Sequence, residues 1–142
     1  LGILDYVEMF KGTLNAGLKT FIVDTYKAQV AALKKLQAPS GLWHTVLDDP
    51  TSYEEVSGSA AIACGILKGI RMGILDDSYL SCAERAINAI LKNIDADGTV
   101  LNVSGGTGMG MNADHYKNIL IAPMAYGQSL TILALAEALQ HL

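Results

Sequence analysis

The side chains best suited to chemistry crowd into one stretch, Ser40 to Ala60, SGLWHTVLDDPTSYEEVSGSA. It holds the single tryptophan, Trp43, next to His44, followed by Asp48, Asp49, Glu54 and Glu55. An indole offers a flat apolar face on which a sugar ring can stack, and an imidazole offers a donor or a switchable charge. Trp43, His44 and Asp48 are therefore candidate ligand contacts. The competing reading is a tryptophan that plugs the end of a helical hairpin beside a solvated histidine. Neighbouring carboxylates can serve as general acid and base, but these four read better as punctuation between loop and helix. Asp49 suits a cap, Ser52 followed by Glu55 matches a capping box, and Glu54 and Glu55 place charge at a helix N-terminus.

A second candidate is the glycine-rich loop Ser104–Gly110, SGGTGMG. It is neither a dinucleotide fingerprint nor a phosphate loop, because no strand–turn–helix context surrounds it and the Gly-Lys-Ser/Thr ending is missing. Its backbone N–H groups, with Thr107 at the centre, are read either as meeting a ligand hydroxyl or carboxylate or as part of a plain linker. His115, Tyr116 and Tyr126 lie where this loop joins the next helix, and Tyr126 reads equally as core or pocket lining. His44, His115 and His141 have no metal-ligand spacing, and Cys64 and Cys82 form no Cys-x-x-Cys pair. No metal or organic cofactor is implied, and no Ser-His-Asp or Cys-His grouping can be drawn.

The elements that must position these groups are helical. Residues 1–10 and 14–36 carry apolar side chains at helical spacing. The next helix, from about Tyr53 to Arg71, is built of very small residues, Ser57-Gly-Ser-Ala-Ala with Gly65 and Gly69 beyond. Each interior glycine costs about 1 kcal/mol against alanine, so close approach of neighbouring helices must offset it, and this helix is read as an inner one. Tyr79–Ile94 is amphipathic and outer. Asp95–Gly98 is a turn, Thr99–Val103 a short strand and Asn112–Asn118 a single turn. Pro123–Leu139 is a second, nearly uncharged inner helix. Both long loops run from an outer helix to an inner one, so both are expected to emerge at the same end of a stack of hairpins.

Hydrophobic content of 51% against 17% charged fits a helical body buried on many sides. A net charge of −4 without a basic stripe argues against nucleic acid. No run of eighteen apolar residues is present, so no membrane span is expected. With buried free thiols and no leader-like start, a cytoplasmic location is expected. The chain opens at Leu1 within a helical pattern, which reads as a cut N-terminus.

Ser40-Gly-Leu-Trp-His-Thr-Val-Leu-Asp-Asp-Pro50, Ser52-Tyr-Glu and the Ser57-Gly-Ser-Ala helix ending Lys68-Gly-Ile-Arg71 resemble the unsaturated rhamnogalacturonyl hydrolases. These form glycoside hydrolase family 105 and are related to the unsaturated glucuronyl hydrolases of family 88. The Asp97-Gly98 turn, the Ser104-Gly-Gly-Thr107 loop and the Tyr126-Gly127 helix are similar too. The resemblance implies a six-hairpin α/α barrel that hydrates the C4–C5 double bond of a terminal unsaturated uronic acid. An Asp acts there as general acid and base. That Asp belongs to the family's N-terminal half, and the family's Trp-x-Arg-Gly-Asn-Gly-Trp motif has no counterpart here, so no catalytic residue is assigned. The expectation is an all-α, partial (α/α)6 toroid of about three of the six hairpins, since twelve helices would need roughly 140 residues before any loop. Residues 1–142 are read as a single domain, the C-terminal part of such a barrel. Trp43, His44, Asp48, Thr107, His115, Tyr116 and Tyr126 are the expected contacts to an unsaturated uronic-acid oligosaccharide. A homo-oligomer or a separate N-terminal half is the expected partner. The alternative is a non-catalytic helical domain that binds a carbohydrate or a partner subunit.

Overall fold

The computed structural model describes residues 1–141. Helices α1 (Gly2–Met9) and α2 (Ala16–Lys35) form the first hairpin. The apolar spacing of α1 buries Leu4 and Val7. Asn15 sets where α2 begins, because its side-chain oxygen accepts the N–H groups of Gly17 and Leu18. Tyr26 and Val30 are the buried face of α2, whereas Phe21 is 69% exposed. This outer helix is therefore covered on one side only.

Helix α3 (Val56–Arg71) is the centre of the molecule, packed against α1, α6 (Ala125–Ala138) and α4 (Leu80–Leu91). Its small residues are what permit this. A Cβ on Gly69 would stand 2.1 Å from the hydroxyl oxygen of Tyr26, and that hydroxyl donates to the Gly65 carbonyl at 2.8 Å. Ala60, Ala63 and Ile66 are fully buried along the same helix. Asp76 caps a short 3-10 turn, Asp77–Tyr79, that leads into α4. One further turn, α5 (Ala113–Lys117), lies inside the last long connection.

Three local expectations are corrected. The third helix starts at Val56 rather than near Tyr53, because β1 (Trp43–His44) pairs antiparallel with β2 (Glu54–Glu55), Trp43 opposite Glu55. That ladder holds Glu54 and Glu55 extended. The Ser52/Glu55 capping box therefore does not form. Glu55 itself is the N-cap, and the Ser52 hydroxyl donates to the Asp49 carbonyl at 2.8 Å instead. Residues 99–103 make only the isolated bridge Ile94–Val100 rather than a strand. Val100 and Val103 are nonetheless buried. A Cβ on Gly127 would lie 2.5 Å from a Val103 methyl, so glycine lets this connection lie against the first turn of α6.

Helix α6 buries Gly127, Thr131 and Ala134 against its neighbours. Its opposite side is open: Ile132 is 57%, Leu133 49% and the adjoining Leu139 65% exposed. At the C-terminal end of α3, Lys68 pairs with Asp5 and Glu8 at 2.5 and 2.6 Å, and Arg71 with Glu137 at 2.5 Å. This network ties α1, α3 and α6 together at the end away from the two long loops. Burial opposes the charge of Lys68, but its bonds to Asp5 and Glu8 outweigh that and leave the ammonium harder to deprotonate than usual. Cys64 and Cys82 are free and buried, and burial, aided by the Glu137 charge, pushes the Cys64 thiol up to about 11.

Candidate functional site

The N-terminal end of α3 floors a groove of about 460 Å³. The connection between α2 and α3 forms one wall with His44, Thr45 and Leu47. The connection between α4 and α6 forms the other with Ser104 and Thr107, and Tyr126 and Leu130 of α6 close the side. The two long loops thus open on one mouth, as their outer-to-inner direction requires.

The floor is set by Glu55. Its Oε1 accepts from Ser57 N at 3.1 Å, the Ser57 hydroxyl at 2.7 Å and Ser104 N at 3.0 Å. Its Oε2 accepts from Gly58 N at 2.5 Å. The carboxylate is buried, held by the positive end of α3 and bonded at both oxygens. His44 Nδ1 is 2.6 Å from the Ser52 carbonyl. A carbonyl only accepts, so Nδ1 carries the proton and Nε2 is the acceptor of the neutral ring. Ser104 is bound at every polar atom. Besides its N–H, its hydroxyl meets the Tyr53 hydroxyl at 2.8 Å, and its carbonyl accepts from the Tyr126 hydroxyl. Among the lining residues there is no Lys and no Arg.

The expected contacts divide. His44, Thr107 and Tyr126 line the groove. Trp43 borders it but is only 2% exposed, and its indole N–H donates to the Leu33 carbonyl at 2.8 Å. Its ring has no free face, so the stacking role is replaced by the plug reading: the indole seals the end of α2 against α3. Asp48 is exposed and outside the lining, as is His115. His115 instead packs edge-on against Tyr116, whose hydroxyl accepts from Gly110 N at 3.1 Å. Tyr116 thus braces the glycine loop from behind. Asp49 pairs with Lys117 of α5 and accepts from the Thr51 N–H and hydroxyl. The Lys117 ammonium, and then the Thr51 donors, hold the Asp49 carboxyl well below the usual carboxylate range. Sequence reading missed Ser104 and the long reach of Glu55, because nothing local to either residue announces a partner about fifty positions away.

The model of Glycosyl Hydrolase Family 88 matches residues 11–142. The chain belongs to this family. Over 121 residues it is 39% identical to the unsaturated rhamnogalacturonyl hydrolase YesR of Bacillus subtilis (strain 168), a match covering 84% of this chain and 33% of that protein. It is 32% identical over 120 residues to an unsaturated 3S-rhamnoglycuronyl hydrolase of Alteromonas sp. (strain LOR), covering 82% and 28%. A solved structure described as a possible GH105 member, from Salmonella enterica serovar Paratyphi A, superposes with a TM-score of 0.94 at 43% identity. It covers 98% of this chain and 37% of that one. The family 88 chain therefore spans about a third of the length of these relatives. Its architecture is all-α, part of an (α/α)6 toroid, as the family resemblance implied.

Proposed function

We propose that this chain supplies the hydroxyl-reading rim of a sugar site in a hydrolase of unsaturated uronic-acid oligosaccharides, and that the proton-transferring carboxylate comes from polypeptide beyond it. One observation carries this reading. The groove contains a single carboxylate, Glu55, and four donors of its own chain already bind it, three at Oε1 and one at Oε2. A general acid must exchange a proton with the reacting group at hydrogen-bond distance, and both Glu55 oxygens are engaged by the helix start and loop that the residue joins. With no Lys or Arg in the lining, the groove suits neutral ring hydroxyls offered to His44 Nε2, the Thr107 hydroxyl and main-chain groups. The anionic ring is then read elsewhere in the toroid. The relatives' names support the substrate class, and the chain's share of their length supports a missing remainder.

A turnover assay on an unsaturated galacturonyl-rhamnose disaccharide tests this by following loss of the double-bond absorbance. The isolated chain is expected to leave the absorbance unchanged while binding the sugar weakly. Turnover by the isolated chain would defeat the proposal. The open side of α6 supports a further part of the reading: residues 1–142 act as one unit completed by more helices, from a second copy or the rest of a toroid. Among the described residues no helix is long and apolar enough to cross a membrane. Free buried thiols suit a reducing compartment, and the cytoplasm is our proposed location.

A further inference from the structure

Glu55 is an unusual residue for the place it holds. Helix N-caps are drawn mainly from Ser, Thr, Asp and Asn, whose short side chains fold back onto the first turn. Glu55 performs that task with Ser57 N and Gly58 N, yet its extra methylene also brings Oε1 to 3.0 Å from Ser104 N, forty-nine positions away. Ser104 is in turn the hinge from which the glycine loop hangs. Tyr53 and Tyr126 hold its other polar atoms, and Gly105 N donates to the Leu120 carbonyl at 2.6 Å. Between Gly105 and Gly110, whose N–H donates to the Tyr116 hydroxyl at 3.1 Å, the loop has no such tie. Gly106, Thr107 and Gly108 are exposed, and the Thr107 hydroxyl bonds only the nearby Gly105 carbonyl.

We infer that Glu55 is a positioning residue: through Ser104 it sets where the Thr107 wall stands relative to the His44 wall, and so fixes the width of the groove. A cap that merely began α3 would need no reach. A buried carboxylate that joins the floor to the far wall adds, to the two tyrosine ties, the one that comes from the cap of α3. The consequence for ligand affinity rests on the sugar-groove reading above; the consequence for loop order does not.

The test separates cap from clamp in the full chain. Glu55→Asp and Glu55→Ser keep an N-cap acceptor but are too short to reach Ser104, while Glu55→Gln keeps the reach and one acceptor oxygen. Three quantities are read: the unfolding midpoint, amide hydrogen exchange at Ser104 and through Gly108, and affinity for galacturonyl-rhamnose disaccharide by titration. The Asp and Ser variants should unfold within a few degrees of the parent. Their Ser104 amide should exchange faster by about tenfold or more, the scale of one hydrogen bond to a charged group. Sugar affinity should fall by a similar factor, and Glu55→Gln should recover part of the protection. Parental exchange at Ser104 in both short variants overturns the inference, as does a Gln variant no better protected than Ser. If the parent chain binds no sugar, the groove reading fails, and the exchange data still decide the role of Glu55.

Discussion

At the scale of single residues, the tryptophan and the buried glutamate exchange the roles their types suggest. Trp43 has the chemistry of a sugar platform, but its ring is enclosed and its N–H is committed to the Leu33 carbonyl. Burying an indole removes a large apolar area from water, and this molecule uses it to close a hairpin. Trp43→Phe should therefore lower stability by roughly 2–4 kcal/mol, from lost packing and a buried carbonyl without its donor. Denaturant unfolding measures it. A loss under about 0.5 kcal/mol, the ordinary range of a surface change, would mean that the indole is not an anchor. Glu55, which reads locally as helix-end charge, is instead the residue on which both walls of the groove converge.

At the scale of elements, the two long connections are held to one another as well as to the helices they join. Val56 N donates to the Asn102 carbonyl at 3.1 Å, and Lys117 of α5 pairs with Asp49 in the other loop. Because the Asp49 carboxyl is held below its ordinary value, its charge stabilises the folded state above the unfolded value of about 3.9. That contribution fades as pH falls through the lower folded value. Asp49→Asn keeps an acceptor for Thr51 but offers Lys117 no charge. Its unfolding midpoint should lie below the parent's near neutral pH, and the gap should close as pH falls from about 4 toward 2. A gap constant across that range would show that the pair contributes nothing through charge. Added salt should also narrow the gap, because both partners are partly exposed.

At the scale of the whole molecule, the fold is a sector of a ring with an open side. Ile132, Leu133 and Leu139 expose apolar surface along α6 and its end. Contiguous exposed apolar surface drives association. The chain is expected to run as a dimer or larger species in light scattering, and Ile132→Lys with Leu133→Lys should shift it toward monomer without lowering its unfolding midpoint. A parent chain that is monomeric at high concentration would contradict this.

Hydrophobic periodicity and residue size were enough to read the helices and the several-sided burial of α3, because burial is written into which positions are small or apolar, whereas α6, read as inner too, keeps one side open. The shared mouth of the two long loops was legible for the same reason, since it depends only on the direction in which each helix runs. Tertiary structure decided the rest. The β1–β2 pairing delayed the start of α3 and turned Glu55 into its cap. Packing against α2 and α3 leaves Trp43 only 2% exposed at the edge of the groove. The Ser104 hinge exists only because Tyr53 and Glu55 on one side and Tyr126 on the other are brought to it from two distant parts of the chain. Short-range propensity acts over a few residues, whereas these contacts span twenty to fifty, and only a folded backbone can bring such groups within 3 Å of each other.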